Sequence, residues 1–122
     1  MQKIGYIVFY PLHRFFVDME IKGRENLVGL KGPIILASNH TGEMDTMTIH
    51  MVFPFFSRFF PIYYITSPTI KYNTFGWRSY IYGQTFFQLF GGYAVHSGFK
   101  DYSISLEDQI YLLERGHTVQ IY

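Results

Sequence analysis

The 122-residue chain contains no cysteine, so it has no disulfide framework, no thiolate metal site and no thiol nucleophile, which suits a reducing compartment. Charge is scarce too: charged residues make up 16%, and ten Lys and Arg stand against nine Asp and Glu for a net charge of +1. A nucleic-acid binder needs a basic footprint to neutralise phosphates, so no nucleic-acid partner is expected. Five Pro and eleven Gly form no low-complexity tract, which sets aside collagen-like, mucin-like and linker readings. An uninterrupted apolar run of about 20 residues is also missing, so no transmembrane helix is predicted. Ile4 to Leu12 closes at His13 and Arg14, and Ile49 to Ile65 is broken by Pro54, Ser57, Arg58 and Pro61. No small-residue cleavage site follows the apolar N-terminus, which therefore reads as retained rather than as a signal peptide.

What the chain does have is aromatic residues. Thirteen Phe and eleven Tyr accompany a single Trp, and 48% of residues are hydrophobic, enough to fold one domain. One cluster, Tyr6, Phe9, Tyr10, Phe15 and Phe16, is edged by Lys3, His13 and Arg14. Rings favour the headgroup boundary and cations snorkel, so residues 1–18 form either an interfacial amphipathic segment or a first helix packed on the core. A second cluster, Phe53, Phe55, Phe56, Phe59 and Phe60 beside Arg58, is read as an acyl-chain tunnel, a membrane-facing patch or ordinary core.

Patterning predicts the elements. Residues 19–24 alternate and suggest an edge strand, and Ile34 to Ala37 is a short continuous apolar run of the kind covered on both faces in a parallel sheet. Thr41 to Glu43 reads as a turn, and Met44 to Phe53 as a helix stopped by Pro54. A strand is expected over 62–66, a loop over 67–74, a helix over 75–90 and a strand over 93–95. A helix capped by Ser103 or Ser105 and closed at Gly116 comes next, then a strand over 117–122. This alternation implies an α/β fold with a mostly parallel sheet and right-handed crossover helices.

The sharpest local feature is Asn39-His40-Thr41-Gly42-Glu43-Met44-Asp45, which falls at the carboxyl end of a buried strand, where open α/β sheets bind ligands. On a continuous helix a five-residue offset separates two side chains by about 140°, so His40 and Asp45 meet only if the chain turns between them; Gly42 supplies a turn. If they meet, a neutral imidazole can take a proton from an alcohol, and the carboxylate fixes its tautomer and stabilises the imidazolium. The plainer alternative is that Asp45 only caps the following helix. No G-x-S-x-G elbow supplies a serine nucleophile, so the hydroxyl most simply belongs to the substrate.

Lys22-Gly23-Arg24-Glu25-Asn26-Leu27, then Gly32-Pro33-Ile34-Ile35-Leu36-Ala37-Ser38-Asn39-His40 and Asp45, resembles the opening of the glycerolipid (lysophosphatidate) acyltransferase family, whose signature is N-H-x-x-x-x-D. Phe75-Gly76-Trp77 and Gly91-Gly92-Tyr93-Ala94-Val95 resemble the segments before and within its second motif, and 112–122 resembles the run leading into its third. The resemblance implies an acyltransferase-like fold over 19–122, with His40 as general base and Asp45 as its partner. It further implies an acyl donor, either acyl-CoA or acyl carrier protein, with no other cofactor, and a lysophospholipid or related alcohol as acceptor. Substrate contacts would come from Asn39, Thr41, Gly42, Lys71, Tyr93, His96 and Ser97, on a protein held monotopically at the cytoplasmic face of a membrane. Two departures stand out. Ser97 occupies the position of the family's phosphate-binding arginine, a large loss for bidentate recognition, for which His96, Lys71 or Arg78 would have to substitute. The family's Pro-Glu-Gly motif would begin just after Tyr122, so a domain cut at its C-terminus is expected, and a non-catalytic lipid-binding piece is the alternative. A metal site from His40, Asp45 and His50 lacks a recognised spacing, and His50 reads as a packing histidine. Gly29 to Gly32 is too short for a phosphate loop, and Gly91-Gly92 lacks a dinucleotide fingerprint.

Overall fold

A computed structural model describes residues 1–42, 45–67, 73–80, 83–96 and 98–122. Helix α1 spans Gln2–Phe16 and ends where Val17 turns extended, with Arg14 in its last turn complementing the helix dipole. Its inner side docks closely on the body. A Cβ at Gly5 would sit 2.5 Å from the Phe90 ring, so only glycine permits this approach. The Gln2 amide accepts from the Ile62 N–H at 2.9 Å and donates to the carbonyls of Ile62 and Phe90, continuing the strand ladder with a side chain. Tyr6, Phe9 and Tyr10 are also partly buried; the Tyr6 ring meets Phe55 and Phe60, and Phe9 meets Phe90. The exposed side is Ile4, Ile7, Val8, Leu12, Phe15 and Phe16, at helical spacing, with Phe15 and Phe16 83% and 77% exposed. Thus α1 is at once a packed helix and an uncovered apolar face. Among the described residues no helix is long and apolar enough to cross a membrane.

The remaining regular elements are β1 (Ile35–Ala37), α2 (Asp45–Val52), β2 (Ile62–Thr66), α3 (Gln84–Leu89), β3 (Gly92–Ala94), α4 (Tyr102–Ser105), α5 (Glu107–Glu114) and β4 (Thr118–Ile121). The expected edge strand over 19–24 does not form. Residues 19–23 are irregular and lead into a 3-10 turn, Arg24–Leu27, because alternation makes a strand only where a ladder partner exists. The helix expected over 75–90 is two shorter pieces. The first is a 3-10 segment, Asn73–Tyr80, kinked at Gly76 (φ 58, ψ −134), a conformation no other residue adopts readily; α3 is the second. The single helix expected after Ser103 or Ser105 is two pieces: α4 is capped by Asp101, whose Oδ1 accepts the Ser103 N–H at 2.8 Å, while α5 starts after Leu106 with no side-chain cap, so neither serine is the cap. Closure at Gly116 holds: its N–H donates to Leu113, and that of His117 to Leu112.

All four strands are parallel, in the order β1-β4-β2-β3, so the chain is an α/β domain with a parallel sheet. On one face Ile62 packs with Phe53 and Phe59, joined by Ile34, Leu36, Ile49, Val52 and Phe60. Phe53 and Phe59 are therefore core, and of this aromatic cluster Phe56 is the ring that stands 86% exposed. On the other face α5 supplies buried Leu112 against β4, where Val119 is buried. Central β4 is covered on both faces, but β1 is not. Leu36 packs inward while Ile35 is 55% exposed, so the expectation that this strand is buried on both sides is corrected: it is an edge strand with one bare face.

Candidate active site

A parallel sheet gathers the carboxyl ends of its strands on one edge. Here β1 runs into Asn39 and His40, β3 into Val95 and His96, and β4 into Tyr122. The β1–β4 ladder continues past the strands: Ser38 N–H donates to the Ile121 carbonyl at 3.1 Å, which sets Tyr122 beside the segment carrying His40.

Asp45 opens α2 and reaches back into the preceding turn. Its Oδ2 accepts the N–H of Thr41 at 2.6 Å, the N–H of Gly42 at 2.9 Å and the Thr41 hydroxyl at 3.4 Å. His40 Nδ1 lies 3.5 Å from the same oxygen, a close contact just beyond a well-formed hydrogen bond. The turn therefore brings His40 and Asp45 together. The two backbone N–H donors hold the Asp45 carboxyl below the usual carboxylate range, with the His40 contribution smaller, so the group is anionic at neutral pH. The Thr41 and Gly42 N–H groups are thereby engaged with Asp45.

Two residues that sequence reasoning missed complete the group. The Tyr122 ring lies 4.3 Å from the His40 imidazole, centroid to centroid, at 36°. Its hydroxyl is hydrogen-bonded to Thr46 Oγ1, one residue along α2 from Asp45. Burial pushes the Tyr122 phenol up, so it stays protonated.

The other candidates are dispersed. His96 ends β3, on the opposite edge of the sheet, three strand spacings or roughly 14 Å from β1. There its Nε2 faces Asp108 Oδ2 at 3.4 Å, a second histidine–aspartate contact. Tyr93 lies mid-strand in β3 and packs on Tyr63, 5.6 Å between centroids, rather than standing at the carboxyl edge. Asn39 is exposed beside His40. Lys71 and Ser97 lie outside the described residues. His50 does not join His40 and Asp45: its Nδ1 meets the Thr46 carbonyl at 2.7 Å and its Nε2 faces the Ile62 carbonyl at 3.4 Å. Burial pushes its pKa down, as for a packing histidine.

Next to the group, between α1, α2 and the sheet, lies a half-open apolar pocket of about 430 Å³, counting space open to solvent. Tyr6 and Phe9 line it from α1, Thr46, Met47 and His50 from α2, with Tyr64 and Phe90 on the remaining walls. Thr46 thus touches both the pocket and the Tyr122 hydroxyl. The chain matches no family model, and comparison with curated proteins and with solved structures likewise returned no match.

Proposed function

We propose that the protein is a membrane-associated O-acyltransferase that moves a fatty acyl group from an acyl-CoA or acyl carrier protein thioester to the hydroxyl of a lysophospholipid or related alcohol. The proposal rests on one observation: a histidine at the carboxyl end of a parallel strand, its Nδ1 edge against an anionic aspartate that the turn itself holds in place. With Asp45 on the Nδ1 side, the Nε2 lone pair is the one that takes a proton. The acceptor hydroxyl gives its proton to Nε2 while its oxygen attacks the thioester carbonyl carbon. The tetrahedral intermediate then expels the thiolate, which leaves as the thiol with the proton that His40 carried. Asp45 stabilises the imidazolium between the two steps. Attack is direct, with no acyl-enzyme.

The pocket under α1 supports the lipid part of this reading, since its lining is apolar and aromatic. The uncovered side of α1 supports a monotopic attachment, with Phe15 and Phe16 at the bilayer interface. That exposed face equally suits the second reading, a lipid-binding chain without catalysis. Assay of the full-length protein carrying His40→Ala or Asp45→Asn separates the two: loss of acyl transfer is expected, and a near wild-type rate in either variant removes the pair from the mechanism. Co-sedimentation with anionic vesicles tests the attachment, and a chain that stays in the supernatant counts against it.

A further inference from the structure

We propose that Tyr122 is a positioning residue for His40, holding the imidazole by its face while Asp45 meets it at its edge. The assignment rests on the general-base role given to His40 above. A single carboxylate contact at 3.5 Å leaves an imidazole free to rotate about its Cβ–Cγ bond, and the His40 side chain is 42% exposed. A ring against its face at 4.3 Å removes that freedom. Tyr122 is in turn fixed at both ends. Its backbone follows β4, which is laddered to β1 through Ala37 and Ile121, and its hydroxyl is bonded to Thr46. The contacts close a ring of side chains from His40 to Asp45, along α2 to Thr46, across to Tyr122 and back to His40. Two separate pieces of chain, the end of β1 and the start of α2, are thereby joined by a residue from a third, and Nε2 is left as the nitrogen not facing Asp45. The face of an aromatic ring also stabilises a cation, so the same contact favours the imidazolium that forms as the acceptor loses its proton. The raised pKa of the phenol keeps the ring neutral and its hydroxyl available to Thr46.

The test uses histidine-labelled full-length protein with Tyr122→Leu, Tyr122→Phe and Thr46→Val, read by NMR of the His40 ring and by steady-state kinetics. In the wild type the His40 Cε1–H is expected to be shifted by the tyrosine ring current. Tyr122→Leu is expected to abolish that shift and to lower kcat by about 10- to 100-fold with KM nearly unchanged, the scale of a misplaced catalytic group. Tyr122→Phe keeps the ring and is expected to restore the shift and most of the lost kcat. Thr46→Val, which releases the hydroxyl without touching the ring, is expected to reduce the shift in part. Its backbone and that of Tyr122→Leu are checked in the same spectra. A Tyr122→Leu variant whose His40 signals do not move, or whose kcat stays within about twofold of wild type, overturns the assignment. If His40→Ala itself turns over normally, the base role fails first and this one with it, whereas an inactive His40→Ala beside a fully active Tyr122→Leu strikes only the positioning role.

Discussion

Two histidine–aspartate contacts of nearly equal length follow the carboxyl ends of the two outer strands, His40–Asp45 at 3.5 Å and His96–Asp108 at 3.4 Å, and they are built differently. In the first, the carboxylate is locked by two backbone N–H groups, and the imidazole lies against a tyrosine whose hydroxyl is tied to the next residue of the same helix. In the second, Asp108 sits partly exposed in the first turn of α5. Beside the His96–Asp108 contact, the His96 backbone N–H donates to the Ser105 carbonyl at 3.2 Å, and among the described residues no backbone N–H is seen to anchor the Asp108 carboxylate. Distance alone therefore does not make a catalytic pair. What separates the two is the second layer that fixes the aspartate and the ring.

The largest effect that would break this comparison is on turnover. His40→Ala is expected to lower kcat for acyl transfer by roughly 10²- to 10⁴-fold, the range of a lost general base. His96→Ala is expected to leave kcat near that of the wild type, with any change confined to KM. Equal losses of kcat in the two variants would place both pairs in the chemistry.

A smaller contrast comes from the carboxylates. Asp45→Asn is expected to cost roughly 10²-fold in kcat, less than the 10⁴-fold for a triad aspartate fully hydrogen-bonded to its histidine, because the contact here is longer. Asp108→Asn is expected to leave kcat unchanged. A symmetrical pair of losses would show that the backbone anchoring of Asp45 is irrelevant.

The smallest contrast lies in acid stability. The Asp45 carboxyl is depressed in the folded state, so the folded chain binds fewer protons there than the unfolded one. Its contribution is complete above the ordinary aspartate range, about pH 4, and is lost as pH falls through and below it. Thermal melts from pH 7 to pH 2.5 should show the gap between wild type and Asp45→Asn closing on acidification. His50, also depressed, by burial, adds a loss that begins as pH drops below about 6.5 and that both proteins share. A gap that stays constant to pH 2.5 would contradict the anchoring of Asp45.

Much of this was legible in the chain. The apolar run before Asn39 and Gly42 in the turn place His40 at a strand end and allow it to meet Asp45, but spacing alone leaves open that Asp45 only caps the helix; the resemblance to the acyltransferase signature is what favours the meeting. Strand β2 and the closure at Gly116 followed from residue types alone. The order of strands did not, because local patterning says that His40, His96 and Tyr122 each follow a strand but not which strands are neighbours. Only the order β1-β4-β2-β3 puts Tyr122 against His40 and sends His96 to the far edge. The same cause hid Thr118 and Gln120, whose alternation with Val119 and Ile121 looks half-exposed yet is buried because β4 is central. Residues 19–24 show the converse, a strand-like pattern left irregular.

The central claim is transfer of an acyl group to an alcohol, and product analysis tests it most directly. Full-length protein would be incubated with palmitoyl-CoA and lysophosphatidate on anionic vesicles, thiol release followed, and lipids and intact protein analysed by mass spectrometry. The account predicts one thiol released for each acceptor acylated, with no acyl adduct on the protein. Thiol release that yields only free fatty acid, or a stable acyl-protein, or no thiol release at all, would contradict it.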